Sequence, residues 1–431
     1  MNVKKLLSLA AAGAVVGAGL ATSGPASAQI AHDEVVREVP GTYTPHLAAS
    51  ANVARPLAYA IVEHAGSMYV GGRFEALENS ARTTTYTRSN LAAFNETTGV
   101  VSSTFRPSVD GTVYSVLGVG DSVYVGGQFT TVNGVTRPII AKLDAETGAL
   151  DPTFKPSLNN GRVSEIRFVN GRLLVSGTFS ARLLALNPST GKNTGYISLP
   201  ISGVVPLGPT KTEVYRFAVN PQGTRLVGVG NFTTVNGQNR HRAFMLNLGD
   251  TAASLNPWYY RPLDKKCEPN SPSRQPYLRD VDFSPDGSYF AFVSTGFVPA
   301  TSADIGVTLC DAAARFETNV PNPTRPTWIN YTGGDTLHAV AITGAAVYVQ
   351  GHNRWLDNPL GRDSAGPGAV ARPGIGAINP STGKALAWNP RKPAAQGGQD
   401  FLVTPEGLWV VSDSLRFNGE YHRGIAFAPL P

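Results

Sequence analysis

The ionisable residues with the most scope for chemistry lie near the starts of predicted strands in separate repeats of the chain. They are Arg55, Glu165, Arg216, Asp280, Asp335, His338 and Asp400. Such a mixture of carboxylates, guanidinium groups and one imidazole could hold a polar ligand, and two facing carboxylates could hydrolyse a glycosidic bond. Each residue taken singly is better explained as a solvated strand start or half of a structural ion pair. As a set, they predict the mouth of a binding site.

A second group of candidate binding residues lies where one repeat departs from the sequence pattern of the others. Where earlier repeats read Val-Gly-Gly-x-Phe, this one reads Gln350-Gly-His352-Asn-Arg354-Trp355 and continues into a long loop ending near residue 372. Trp355 could stack on a sugar ring while Arg354 pairs with a carboxylate. Equally, Trp355 could pack on the neighbouring repeat with His352 satisfied in the core. Loops of this length are usually either functional or disordered, so both interpretations stay open.

Familiar catalytic and metal-binding motifs are absent from the sequence. It contains no His-Glu-x-x-His, no Gly-x-Ser-x-Gly and no phosphate-binding glycine loop. The segment from Asp280 to Gly287 resembles a calcium loop only superficially, because the required glutamate is missing and residue 291 is alanine. We therefore expect no metal and no cofactor, and we assign no catalytic residue.

A recurring phrase indicates which elements must position these side chains. It occurs at Tyr69–Phe74, Tyr124–Phe129, Leu174–Phe179 and Val227–Phe232, with weaker copies towards the end of the chain. Self-similarity with a period of about 50 residues is typical of a repeat architecture. The repeat at 109–156 predicts strands at 113–118, 122–129, 139–143 and 150–154, separated by glycine turns. Four short antiparallel strands per repeat predict an all-β fold, the β-propeller, and the paired glycines would let neighbouring sheets approach closely.

Seven repeats can be counted, although six or eight blades remain possible because the later repeats diverge. The predicted blades cover residues 53–108, 109–158, 159–210, 211–276, 277–334, 335–397 and 398–431, with residues 33–50 completing the last. Fourth strands end in an aromatic residue, any residue and proline, and Tyr43-Thr-Pro45 repeats that pattern before the first blade. We therefore expect the N-terminal segment to close the ring and remove an exposed edge.

The repeats resemble the delta-60 type of β-propeller repeat found in secreted bacterial proteins. The matching residues are Tyr124–Gly134, Tyr-Val-Gly-Gly-x-Phe-Thr-x-Val-Asn-Gly, with a partial copy at Phe232–Gly237. The later segments at 279–287 and 330–335 are similar to a divergent form from secreted actinobacterial proteins. The resemblance implies a propeller and an extracellular address, and it carries no catalytic residues that could be transferred.

The N-terminal sequence also predicts export. Lys4 and Lys5 precede an apolar run, and Ala26-Ser27-Ala28 precedes Gln29, so residues 1–28 form a predicted signal peptide cleaved after Ala28. The mature protein would be a single domain, residues 29–431. Its two cysteines, Cys267 and Cys310, are expected to form a disulfide outside the cell.

Composition and motifs together favour a binding protein. The formal charge of +6 falls by two with the loss of Lys4 and Lys5, and no basic block supports nucleic acid or an anionic membrane as partner. We expect a secreted monomer without a membrane span that binds a saccharide or surface polymer without catalysis. A polysaccharide hydrolase or lyase at the same mouth is one alternative, with His338 or His352 as the base of the lyase. A protein-interaction platform is another.

Overall fold

The computed structural model describes residues 30–158, 160–274, 276–393 and 397–431. The predicted signal peptide, residues 1–28, and its cleavage site lie outside the described residues. In the part of the chain that is described, no helix is long and apolar enough to cross a lipid bilayer. The two short 3-10 helices are Arg261–Asp264 and Ser302–Asp304.

The longer strands form antiparallel sheets that follow one another along the chain, and in each sheet the second strand lies beside the first and third. Sheet 1 contains Leu57–His64, Ser67–Arg73 and Leu91–Asn95; sheet 2, Thr112–Val119, Ser122–Gln128 and Ile140–Asp144; sheet 3, Val163–Val169, Arg172–Gly177 and Leu183–Leu186; sheet 4, Glu213–Val219, Arg225–Asn231, Ala243–Leu248 and Ala253–Leu255; sheet 5, Leu278–Phe283, Tyr289–Ser294, Ala312–Glu317 and Trp328–Tyr331; sheet 6, Leu337–Ile342, Val347–Gly351 and Ile375–Ile378; sheet 7, Gly398–Thr404, Gly407–Ser412 and Ile425–Pro429.

Short paired strands also occur in the segments that connect the longer strands, mostly between the second and third strands of a sheet. They pair as His46–Ala48 with Ala76–Glu78 and Thr85–Thr87; Thr131–Val132 with Val135–Thr136; Ile201–Ser202 with Thr234–Val235 and Gln238–Asn239; Cys267–Glu268 with Val298–Pro299; Trp355–Leu356 with Val370–Ala371; and Arg416–Phe417 with Glu420–Tyr421. The predicted turn residues Asn133 and Gly134 have φ values of 52° and 75°, which the tight hairpin between the second pair requires.

The first strand of each sheet packs against the first strand of the next, and the first strand of sheet 7 packs against that of sheet 1. Buried apolar side chains fill the space between successive sheets, as Tyr69 and Leu91 of sheet 1 do with Val113 and Val125 of sheet 2. The first strands therefore surround a common axis, and polar side chains at their starts face one another.

The glycine pair of the repeat allows this close packing. A Cβ atom on Gly126 would lie 2.3 Å from Val163 Cγ1 and 2.9 Å from Ile166 Cδ1, both in sheet 3. Its neighbour Gly127 faces its own sheet instead, where a Cβ would lie 2.1 Å from the carbonyl oxygen of Thr112. The prediction therefore holds for the first glycine, which admits the neighbouring sheet, whereas the second accommodates the backbone of its own sheet.

The expected fourth strands are mostly not regular strands. Instead of a strand at 150–154, sheet 2 has a single bridge between Leu143 and Leu150, and among the described residues only sheets 4 and 5 have a fourth strand. Pro152 interrupts the ladder because proline has no N–H. The buried Arg137 guanidinium donates to the Phe154 carbonyl in its place. Other arginines also donate to carbonyls of this segment, from Arg88 to Ser102, from Arg240 to Asn256 and from Arg372 to Leu386, and sheet 4 keeps its fourth strand beside the bond from Arg240.

The N-terminal segment lies along the outer edge of sheet 7. The Arg37 N–H donates to the Pro429 carbonyl at 2.7 Å, and the Gly41 N–H donates to the Phe427 carbonyl at 2.8 Å. The Tyr43 ring lies 6.2 Å from the Trp409 ring, centroid to centroid. This segment therefore covers backbone groups that would otherwise form an open strand edge.

Cys267 and Cys310 form the predicted disulfide, with their Cα atoms 5.8 Å apart. The bond ties the paired short strands Cys267–Glu268 and Val298–Pro299 to the residues that precede Ala312–Glu317. Closing a loop across a sequence separation of 43 residues is worth about 3–4 kcal/mol in the chain-entropy account.

Candidate functional site

A β-bulge recurs at the same place in the first strand of sheets 1 to 7. In each, the ladder skips one residue near the start of the strand: Tyr59, Tyr114, Ser164, Tyr215, Arg279, His338 and Gln399. Together with Arg162 and Arg216, these residues line one cavity of about 170 Å³, which we call the mouth cavity. A bulge changes the direction of a side chain, and here it turns one residue from every sheet towards the common axis.

Arg162 is neutralised within the wall of the mouth cavity. Its Nε and Nη2 atoms donate to the two carboxylate oxygens of Glu213, both at 2.8 Å, and Ser164 Oγ donates to the same carboxylate at 2.6 Å. Its guanidinium carbon also lies 5.2 Å from the centroid of the Tyr114 ring. The bidentate pair fixes Arg162 as part of the scaffold.

Arg279 is placed differently. Its Nη1 donates to the Tyr277 hydroxyl at a long 3.5 Å, and its guanidinium carbon lies 5.8 Å from the Tyr215 ring centroid. Within the described ranges, no carboxylate lies within ion-pairing distance of it. The hydroxyls of Tyr59, Tyr114 and Tyr215 likewise make no hydrogen bond to described residues, and burial raises the pKa of Tyr59 and Tyr215. The cavity therefore presents phenol groups as well as a cation.

His338 contributes a neutral imidazole to the mouth cavity. Burial, then the charge of Arg279 and the neighbouring His352, lower its pKa well below the usual range. The His338 and His352 ring centroids are 5.7 Å apart, and Gln399 Nε2 lies 3.3 Å from His338 Nδ1. Because a backbone hydrogen bond with Gly398 and the Gln399 side chain already engage its ring, His338 lines the cavity as a neutral polar group.

An ion pair forms the floor of the mouth cavity. Arg216 pairs with the buried carboxylate of Glu165, which also lies 3.1 Å from Arg167 Nε. Arg216 belongs to sheet 4, yet its Nη2 lies 3.4 Å from the Tyr59 carbonyl of sheet 1, so the side chain crosses the axis. Burial opposes its charge, but Glu165, Asp400 and Asp280 outweigh that effect and raise the pKa of Arg216.

Below Arg216 lies a second cavity of about 390 Å³, which we call the interior cavity; it extends along the first strands to their far ends at Glu63, Ile342 and Thr404. Its polar walls come from Glu165, Arg167, Arg216, Asp280, Asp282 and Asp400. The Val340 N–H donates to Asp280 at 2.9 Å, and the Phe401 N–H donates to Asp400 at 3.0 Å. Burial raises the pKa of both carboxyls to about 7, with Arg216 opposing the shift. In the described part of the chain, no group of three or more potential ligands could hold a metal ion.

The remaining predicted residues lie outside these two cavities. Arg354 donates to Asp335 through Nη2 at 2.7 Å and through its backbone N–H at 2.8 Å, and it also pairs with Asp363. Its guanidinium carbon lies 4.4 Å from the Trp355 ring centroid. Residues 352–372 thus form a hydrogen-bonded loop in which the donors of Arg354 and Arg372 are largely occupied.

Arg55 lies in a separate cleft of about 600 Å³ between the start of sheet 1 and the loop before the last strand of sheet 7. Arg416, Arg423 and Asp413 line the same cleft. The predicted ring is therefore divided: Glu165, Arg216, Asp280 and Asp400 meet in the interior cavity, and Arg216 and His338 meet in the mouth cavity. Arg55 and Asp335 reach neither.

Sequence reasoning missed most of the mouth cavity, namely Tyr59, Tyr114, Arg162, Ser164, Tyr215, Arg279 and Gln399. Part of a pattern was present, because Tyr59 and Tyr114 stand at the same distance before the glycine pair of their repeats, whereas a longer turn in sheet 4 moves Tyr215 out of that column. The bulge that turns this column inwards cannot be read from alternation, since an extra residue reverses which face a side chain occupies.

Three kinds of comparison bear on the fold. A family model described as a domain of unknown function (DUF5122) beta-propeller matches residues 121–154. No curated protein matches the chain. Among solved structures, the WD40 beta propeller domain of Doa1 is similar with a TM-score of 0.50 at 10% identity, covering 89% of this chain and 96% of that one.

Two further structures are similar at lower scores. The computationally designed Ika8 protein has a TM-score of 0.47 at 9% identity, with 89% of this chain and 98% of that chain covered. Hydrazine synthase of Kuenenia stuttgartiensis has a TM-score of 0.47 at 11% identity, with 84% and 94% covered. At such identities a likeness concerns architecture alone. The family match, the Doa1 likeness and the all-β arrangement of sheets around one axis together identify the fold of this chain as a β-propeller.

Proposed function

We propose that the chain is a secreted, non-catalytic β-propeller that binds an extracellular saccharide or cell-surface polymer at the mouth cavity. One observation carries the proposal: a bulge at the same register of sheets 1 to 7 gathers three tyrosines, an arginine and a neutral histidine around one opening. Aromatic faces and fixed hydrogen-bonding groups suit a sugar ring, which is apolar on its faces and polar at its rim.

The proposed architecture has seven blades, of the delta-60 repeat type, closed by the N-terminal segment. Two features support closure: the packing of sheet 7 against sheet 1, and the backbone hydrogen bonds from Arg37 and Gly41 to the last strand. Secretion to the outside of the cell is supported by the N-terminal sequence pattern and by the disulfide, since disulfides persist mainly in oxidising compartments.

The state of the carboxylates favours binding over hydrolysis. Glu165 is held by two arginines, and Asp335 is held by Arg354. Asp280 and Asp400 each accept a backbone N–H, and Arg216 stands between them and the mouth cavity. A glycosidase needs two carboxyl groups free to reach opposite sides of one bond.

A polysaccharide hydrolase or lyase remains the second candidate because of two particular groups. The carboxyls of Asp280 and Asp400, with their pKa near 7, could serve as acids in a hydrolase. The neutral His338 beside Arg279 could serve as a base in a lyase. The hydrolase would require substrate to displace the Arg216 floor, whereas the lyase groups already line the mouth cavity.

A glycan array of the mature protein, followed by assay of every hit for released reducing ends and unsaturated products, tests the proposal. We expect binding without product. Tyr215→Ala, which removes a mouth ring, should lower affinity at least tenfold, whereas Trp355→Ala tests whether the 352–372 loop contributes at the rim. Product release would establish the second candidate. Failure to bind any glycan on the array would overturn saccharide binding and favour a protein partner.

A further inference from the structure

Resting on the proposed function, we propose that the mouth cavity recognises the end of an acidic saccharide, a terminal sugar whose carboxylate pairs with Arg279. The class of ligand is thus a uronic acid at the end of a chain, as opposed to a neutral polymer or a chain threaded through the propeller.

The charges around the mouth cavity favour an anion at one point. Arg162 is matched by Glu213 and Arg216 by Glu165. Arg279 has no carboxylate partner among the described residues. Its sequence neighbour Asp280 points into the interior cavity, where it accepts the N–H of Val340. A half-buried guanidinium without a counter-ion leaves a fork of donors that matches a carboxylate.

The remaining groups of the mouth cavity suit the sugar to which that carboxylate would be attached. Tyr215 lies beside Arg279, and the hydroxyls of Tyr59, Tyr114 and Tyr215 are free of bonds to described residues. His338 is uncharged, so it lines the cavity without adding a second charge. An acid bound here would face one cation, hydroxyl donors and aromatic rings.

Size and closure favour the end of a chain. The mouth cavity holds about 170 Å³, well below the roughly 300 Å³ at which drug-sized pockets begin. The Arg216 side chain closes it from below by reaching across to the Tyr59 carbonyl. A single ring-sized group can therefore enter from the open side, while a polymer cannot continue through the axis.

Binding of small glycosides tests the inference directly. The probes are the methyl glycosides of glucuronic, galacturonic and mannuronic acid, each compared with its methyl ester and with the methyl glycoside of the parent hexose by calorimetry or saturation-transfer NMR. The three members of each set share a ring and differ only at C6. We expect at least one acid to bind at least tenfold more tightly than its ester and its hexose.

Two charge-matched variants locate the contact. Arg279→Gln should abolish the preference for the acid, and Arg106→Gln, which removes an exposed arginine outside the mouth cavity, should leave it intact. Thermal unfolding of both variants shows whether the fold is retained. Arg279→Lys provides a second test, with part of the preference kept if the charge itself is recognised.

The outcomes separate the two proposals. Equal binding of acid, ester and hexose would overturn the acidic class while leaving saccharide binding in place. A preference that survives Arg279→Gln would overturn the assignment of Arg279. If glycans of every kind fail to bind, the proposed function fails first. Arg279-dependent binding of N-acetylglutamate would then mean that the carboxylate is recognised on a ligand other than a sugar.

Discussion

At the scale of single residues, Arg216 organises the polar interior. It is the one side chain that borders both the mouth cavity and the interior cavity among those described, and it pairs with Glu165. Removing one partner of a buried pair leaves an uncompensated charge, which typically costs about 3–5 kcal/mol. Because the cost of desolvating both charges offsets most of their attraction, the intact pair adds little net stability. Its main effect is to fix the boundary between the two cavities.

The pKa of Asp280 leads to a prediction about pH. Its pKa is about 7 in the folded protein and close to 3.8 in an unfolded chain, so the folded state holds the proton more tightly. The stability from this group is fully present below about pH 4 and is lost as pH rises through about 7. Asp280→Asn should unfold like the unsubstituted protein at pH 4 but gain on the order of a few kcal/mol relative to it at pH 8. Urea unfolding at a series of pH values measures the difference.

Asp286→Asn is the matched control for that series. Asp286 lies in an exposed turn a few residues along, and its hydrogen bonds with Ser284 lower its pKa. Its contribution has the opposite sign, because it is present above about pH 4 and is lost as pH falls. A relative stability of Asp280→Asn that does not change with pH would contradict the assignment of a raised pKa.

At the scale of strands and sheets, the first glycine of the repeat sets how closely two sheets approach. We expect Gly126→Val to destabilise the protein by at least about 1–3 kcal/mol, because the new side chain would overlap Val163 and Ile166 of sheet 3. Gly120→Asn is the control: a Cβ there meets no atom within 4 Å, and asparagine tolerates the φ of 58°. Chemical denaturation of both variants compares them. Equal losses would show that the contact between sheets is not what Gly126 provides.

The strands and turns that recur in each repeat could be predicted from the sequence. The fourth strand of sheet 2 and the lining of the mouth cavity were predicted wrongly or only in part. Strand positions, the Asn133-Gly134 hairpin and the cysteine pairing follow from local patterns, and they are found as expected. The predicted fourth strand of sheet 2 is wrong, because Pro152 has no N–H with which to continue the ladder beyond the bridge between Leu143 and Leu150. The mouth cavity was only partly predicted because a bulge shifts the inward column by one residue.

At the scale of the whole molecule, the N-terminal segment is expected to stabilise the entire ring. Deleting residues 29–43 from the mature protein would remove the backbone bonds from Arg37 and Gly41 and the packing of Tyr43 on Trp409. We predict a lower midpoint of thermal unfolding and a tendency to associate, because the last strand of sheet 7 would become an open edge.

Calorimetry and light scattering at several protein concentrations test that prediction. Substituting Tyr43→Ala in the full mature chain provides a milder version, which weakens packing but keeps the backbone bonds. A deleted chain that remains monomeric with unchanged unfolding would mean that the ring does not depend on its N-terminal segment for closure.

The recurring bulge also has a consequence for protein engineering. The skipped residue of each first strand takes no part in the ladder register, so its side chain can change while the surrounding backbone pairing stays the same. A combinatorial library confined to codons 59, 114, 164, 215, 279, 338 and 399 would vary seven of the nine residues that line one opening while Arg162, Arg216 and the rest of the gene stayed fixed. Selection from such a library could yield receptors for new ligands on an unchanged scaffold.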